Sequence, residues 1–206
     1  MIIKTNNLDM RRLIFLLIAA CSVTFCFAQL SAEKLEKAEK EVTDAKKLKK
    51  EKEKQLEALR DSINFHNAVI GINEMNFVVE ADRISFPNGV TVNTDSNTNF
   101  ISATNGKGMV QIAFPQYGFG GFNGLGGITV EGMITNIKTS TDKKGNVILK
   151  MSVMGTGISA QILITLLKTS NEVVATIDPN FNSNRLTVYG KLYPNQLSSV
   201  FKAMPL

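Results

Sequence analysis

Between Gly126 and Lys168 apolar and polar residues alternate more densely than anywhere else in the chain, so a core must be built on this stretch. Ile128, Val130 and Ile134 fall on one side of a period of two, with Thr129, Glu131 and Thr135 on the other, as in a half-buried strand. Thr141-Asp142-Lys143-Lys144-Gly145-Asn146 then supplies the polar residues and the glycine that a short hairpin loop requires. Val147, Leu149, Met151 and Val153 form the next alternating set. Ile158, Ala160, Ile162, Ile164 and Leu166 form a third, and Leu163 and Leu167 on its other side predict partial cover for both faces. Gly155 and Gly157 between the second and third sets read either as a tight turn or as a bulge in one long strand.

The same alternation predicts strands at Asn76–Phe86, around Val90 and Val92, and at Thr98–Ala103 and Met109–Phe114. Turn signals at Pro87-Asn88-Gly89 and Asn105-Gly106 separate them. Val173–Ile177 and Arg185–Tyr193 continue the series, and Pro194–Phe201 reads as a short helix. Eight or nine short strands joined mostly by tight turns, with no helix between them, predict an antiparallel β-meander forming a small barrel or sandwich. Ahead of it, Phe65, Ala68, Val69, Ile72 and Met75 recur at helical spacing, so residues 63–206 read as a β-domain with a lead-in helix.

The period changes between Ser31 and Arg60, where Lys, Glu, Ala and Leu dominate without glycine or proline, a composition that strongly favours helix. Ser31 reads as an N-cap, and Glu33/Lys37 and Glu36/Lys40 are correctly oriented i,i+4 pairs. Heptad spacing links Leu35, Ala38, Val42 and Ala45 to Leu56, Leu59 and Ile63, but Lys49 and Lys52 interrupt the seam. Residues 29–62 are therefore expected to be a charged helical stalk or a coiled coil, and the fold class as a whole is mainly β with an N-terminal helix.

Composition adds a core-forming fraction, 44% hydrophobic in 206 residues, and a net charge of only +5. That charge is too small and too dispersed to predict nucleic acid as a partner. Arg11-Arg12, the apolar run Leu13–Ala20 and the small residue Ala28 have the order of a secretory signal peptide over residues 1–28, cleaved between Ala28 and Gln29. Ser22 and Thr24 interrupt the apolar run, so no retained membrane span is expected. Ile18-Ala19-Ala20-Cys21 is the alternative, since it resembles a bacterial lipobox in which Cys21 is lipidated. The expected location is periplasmic or secreted, or membrane-tethered under that alternative. Cys21 and Cys26 both precede Ala28, so cleavage there leaves no thiol for a disulfide, a nucleophile or a metal site.

Candidate chemistry is sparse. Gln116–Gly127 holds glycine spacings near a dinucleotide-binding loop, but a strand rather than a helix follows, which excludes that reading. Tyr117, Phe119 and Phe122 in this connection either pack over one end of the β-domain or contact a ligand or partner. His66 is the single histidine and reads as a helix-surface residue, and no G-x-S-x-G motif is present. Glu80 and Asp82 share a strand face without an identifiable acid/base arrangement, so no catalytic residue, metal or cofactor is assigned. A paired-carboxylate hydrolase is the least favoured alternative. Asp61-Ser62-Ile63 resembles the Asp-Ser/Thr-aliphatic motif at which exported Bacteroidota proteins are O-glycosylated, against an ordinary helix-side serine.

Phe77–Phe86, Gly126–Gly132, Thr141–Asn146, Gly157–Ala160 and Pro179–Leu186 together resemble domain-of-unknown-function family 4251, exported proteins of Bacteroidota. The resemblance runs from Phe77 to the C-terminus and leaves the charged helix as an addition. It implies an exported, mostly β domain and carries no catalytic residues. Two functions follow as expectations: a non-catalytic envelope module that binds another envelope protein or self-associates through its helix, or a barrel that binds a small apolar ligand or glycan.

Overall fold

The computed structural model describes residues 7–113, 127–156, 159–180 and 185–200. The chain divides into two compact units, Met1–Leu56 and Glu57–Leu206. The first is helical from Asn7. The second holds the end of the same helix, α1 (Asn7–Asn73), and all the strands. Ser31, expected to begin a helix, lies inside α1. No glycine or proline separates Leu13–Ala28 from the charged stretch, so nothing in the backbone ends one helix and starts another. Among the described residues no helix is long and apolar enough to cross a membrane.

Nine strands follow: β1 (Phe77–Ser85), β2 (Thr91–Asn93), β3 (Phe100–Thr104), β4 (Lys107–Ala113), β5 (Gly127–Thr141), β6 (Val147–Met154), β7 (Ser159–Leu166), β8 (Glu172–Pro179) and β9 (Leu186–Pro194). All neighbours are antiparallel in the order β2-β1-β3-β4-β5-β6-β7-β8-β9, and β1 also pairs with β9. That pairing closes an eight-stranded barrel and leaves β2 as an extra strand beside Arg83–Ser85. The barrel reading thus holds over the sandwich. Met154 lies opposite Ser159, so the chain reverses between β6 and β7 rather than running on as one long strand, and Gly157 lies outside the described residues. A 3-10 helix (Asn195–Leu197) replaces the longer C-terminal helix expected.

Inward positions follow the predicted alternation. Val147, Leu149, Met151 and Val153 on β6 and Ala160, Ile162, Ile164 and Leu166 on β7 are buried, as are Val173, Ala175 and Ile177 on β8. The predicted face of the lead-in helix is also right: Ala68 and Ile72 join this cluster, with Phe65, Val69 and Met75 packed against it. The helix ends on Met75 in the left-handed region (φ 51), with the Asn76 N–H donating to Gly71 O and the Met75 N–H to Ile72 O, which closes its last carbonyls. Leu163, expected to be partly covered, is exposed, and Leu167 is half-buried.

Thr129 departs from the pattern. It lies on the outer side of β5, where the alternation predicts a solvated face, yet it is fully buried. Its cross-strand neighbour Gln111 is buried too, as are Val78, Phe100, Ser102 and Ala113 on the outer side of β1, β3 and β4. A period of two identifies two faces but not what later covers one of them.

Candidate functional site

The outer wall at β3 to β5 is sheltered in part by the crossover between β2 and β3. The Thr94 hydroxyl donates to Ala81 O at 2.9 Å and the Thr94 N–H to Asp82 O at 2.8 Å, which holds the start of the crossover against β1. Its end is fixed by Asn99, whose Nδ2 donates to Asp95 O at 3.0 Å while its Oδ1 accepts from the Ala113 N–H at 2.8 Å. Gln111 Nε2 donates to Thr98 O at 2.9 Å. These amides satisfy backbone groups that would otherwise be buried without partners, and they pin a loop. They present no nucleophile or proton donor poised for chemistry.

Glu80 and Asp82 lie on β1. A register shift between Ala81 and Arg83 breaks their alternation, and the half-buried Glu80 accepts a hydrogen bond from the Ser198 hydroxyl at 2.7 Å. On the same wall the Arg83 guanidinium lies 4.4 Å from the centroid of the Tyr189 ring, and Arg185 pairs with Asp178 at 2.9 Å. His66 and Ser62 are both exposed on α1. Among the described residues no cluster of three or more His, Cys, Asp or Glu side chains is placed to hold a metal ion. Tyr117, Phe119 and Phe122 lie outside the described residues, between Ala113 at the end of β4 and Gly127 at the start of β5. The backbone of Cys21, Ala28 and Gln29 is helical.

At the C-terminal end of β5, the β5–β6 turn is built on Asp142. Its Oδ1 accepts from the N–H groups of Lys144 at 2.8 Å and Asn146 at 2.9 Å, and its Oδ2 from Asn146 Nδ2 at 2.8 Å. Asn146 Oδ1 in turn accepts from the Lys168 N–H at 3.0 Å, tying this turn to the next. The Asn146 backbone N–H, opposed by desolvation and joined by the Asn146 side chain and the N–H groups of Lys144 and Gly145, holds the carboxyl below its usual 3.8. Hydrogen bonds to the ionised form favour it, so the contribution to stability is complete above 3.8 and is lost as pH falls through the lower folded value. An NMR titration of the Asp142 carboxyl carbon is expected to give a midpoint below 3.8, and a midpoint at or above it would contradict this turn geometry.

Side chains of the described strands pack closely inside the barrel. Phe77, Val79, Ile84, Ile101, Leu149, Met151, Val153, Ile164 and Leu166 each have 0% exposure. A side chain beside a void wide enough for water would keep accessible area, so these residues line none. Apolar area is instead displayed on α1, where Val42, Leu48, Leu56, Leu59 and Ile63 are all more than half exposed. The sequence reading identified that seam, but not the buried Asn99, Gln111 and Thr129, which look like ordinary strand and turn residues.

Comparison with known proteins agrees with this architecture. The profile of the DUF4251 domain of unknown function matches residues 59–192. A solved structure of a DUF4251 family protein from Bacteroides eggerthii is 44% identical, with a TM-score of 0.61 over 70% of this chain and 96% of that one. No curated protein matches the chain. The match begins within α1 rather than at Phe77, so the end of the lead-in helix belongs to the family pattern and the charged stretch before it does not. With that match covering most of its length, the chain belongs to the DUF4251 family.

Proposed function

We propose that the chain is exported to the periplasm or beyond the cell, is cleaved between Ala28 and Gln29, and acts there as a non-catalytic module of the cell envelope that binds a protein partner. One contrast carries the reading: apolar side chains fill the barrel, whereas α1 displays Val42, Leu56, Leu59 and Ile63 to solvent. An exposed apolar row on a charged helix suits a protein partner, and a filled barrel does not suit an enclosed ligand. The order of basic, apolar and small residues at the N-terminus supports export.

Fractionation of the source cells followed by mass measurement of the protein's N-terminus tests it. The expected result is a chain beginning at Gln29 in the envelope or outside the cell. A lipid on Cys21 would replace free export by membrane tethering, and a cytoplasmic chain retaining Arg11-Arg12 would overturn the reading.

A further inference from the structure

We infer that the open edge of β5 over residues 135–141 takes up an extended acidic segment of another protein as an added strand. The site lies wholly in the second unit, so it is separate from the apolar row on α1 and does not depend on it. β4 covers one side of β5 only as far as Ile134, whose N–H donates to Gly106 O at 2.9 Å, and from Thr135 to Thr141 the strand pairs with β6 alone. Among the described strands none lies along the other side of residues 135–141, and every one of these residues is exposed. The Asp142 N–H donates to Asn146 O, so Asp142 turns its N–H toward β6. Alternation along the strand then turns the N–H and C=O groups of Thr139 and Thr141 to the open side, where a further strand can pair with them.

Charge selects the occupant. Lys138 lies opposite Lys150, and Lys143 and Lys144 form the turn; all four are exposed, and Asp142 is the one acid between Thr135 and Lys150. Among the described residues the ion pairs of the barrel, Lys107 with Glu131 and Arg185 with Asp178, involve none of the four. A second copy laid along this edge would bring like charges together, which is how edge lysines guard against self-pairing. An acidic strand turns the same charges into attraction. On the other face apolar area is left open. The register shift leaves Asn136 and Ile137 together opposite Met151, and Ile137 is 48% exposed, while Thr139 and Thr141 lie opposite the buried Leu149 and Val147. A strand that alternates acidic with β-branched residues would set its acids beside Lys138 and its apolar side chains beside Ile137 and Thr139.

The test uses the full-length chain and, as probe, a fluorescent peptide of about nine residues that alternates Glu and Val, long enough for one strand. In hydrogen exchange followed by NMR, the Thr139 and Thr141 amides of the free protein should exchange fast and those of Lys138 and Ser140 slowly. Peptide binding should slow Thr139 and Thr141. Lys138→Glu should weaken binding about tenfold. Thr139→Pro should abolish it and keep cooperative thermal unfolding, because this N–H points away from β6 and proline is tolerated at such an edge position. A peptide methylated on its Val amides keeps every charge but cannot donate along the strand, so it should not bind, and it decides the matter even where Thr139→Pro fails to fold. Equal binding of the methylated peptide would mean attraction to charge alone, as toward any anionic surface, and would overturn the proposal. No binding at millimolar peptide, or self-association that protects Thr139 and Thr141 in the free chain, would also overturn it. None of these results touches the export reading, which stands or falls on location and N-terminus.

Discussion

Ile162→Asp is expected to abolish the cooperative thermal unfolding of the barrel. Ile162 is 1% exposed at the centre of β7, between Met151 on β6 and Ile177 on β8. A carboxylate there loses its water without gaining a partner. The cost, several kcal/mol or more, is comparable with the roughly 5 to 15 kcal/mol of stability that a whole domain has. Val130→Asp should act in the same way from β5, where Val130 is 7% exposed. Gln161→Asp and Thr135→Asp are the controls, because both positions are exposed and one residue removed from an inward or barrel-facing neighbour. Thr129→Asp is no control, since that side chain is buried on the outer wall and should also be damaging. If the controls unfold the domain as readily as Ile162→Asp, the two faces of the strands are not distinct and the barrel assignment is wrong.

Gly190→Ala should be nearly as severe, although it adds a single methyl group. Gly190 lies on β9 opposite Ala81, at the register shift of β1, and a Cβ there would overlap the carbonyl oxygen of Glu80. The obstacle is backbone of a paired strand, which cannot rotate away as a side chain can. Gly132 is the counterpart on β5, where a Cβ would overlap the carbonyl of Met154. Met133 beside it pairs with both Lys107 of β4 and Met154 of β6, so the glycine sits where β5 passes from one neighbour to the other. Overpacking of this kind costs about 1 to 3 kcal/mol and more where backbone must move, so both variants should lose at least that in urea unfolding. Gly89→Ala, in the open β1–β2 turn at φ 84, meets no atom within 4 Å and should lose only about 1 kcal/mol from the backbone conformation. Equal losses at Gly190 and Gly89 would show that close strand contact is not what the glycine serves.

The strands were legible because burial on one side imposes a period of two, and the lead-in helix because Phe65, Ala68, Val69, Ile72 and Met75 lie on one helical face. Barrel closure was not, since pairing of β1 with β9 joins residues more than a hundred positions apart and leaves no local pattern. The bulge at Ala81/Arg83 and the double use of Met133 were hidden for the same reason, although Gly190 and Gly132 mark both places. Gln111 looks like a solvated strand residue until a crossover is laid beside it. The helical seam was visible from spacing alone.

Native mass spectrometry of the protein isolated from its own cells tests whether side chains alone fill the barrel. Each chain is expected to carry the mass of the processed polypeptide, with any covalent modification, and no tightly held small molecule. A stoichiometric apolar ligand or glycan that is released only on unfolding would contradict it, because Leu149, Met151 and Ile164 would then have to move aside to admit it.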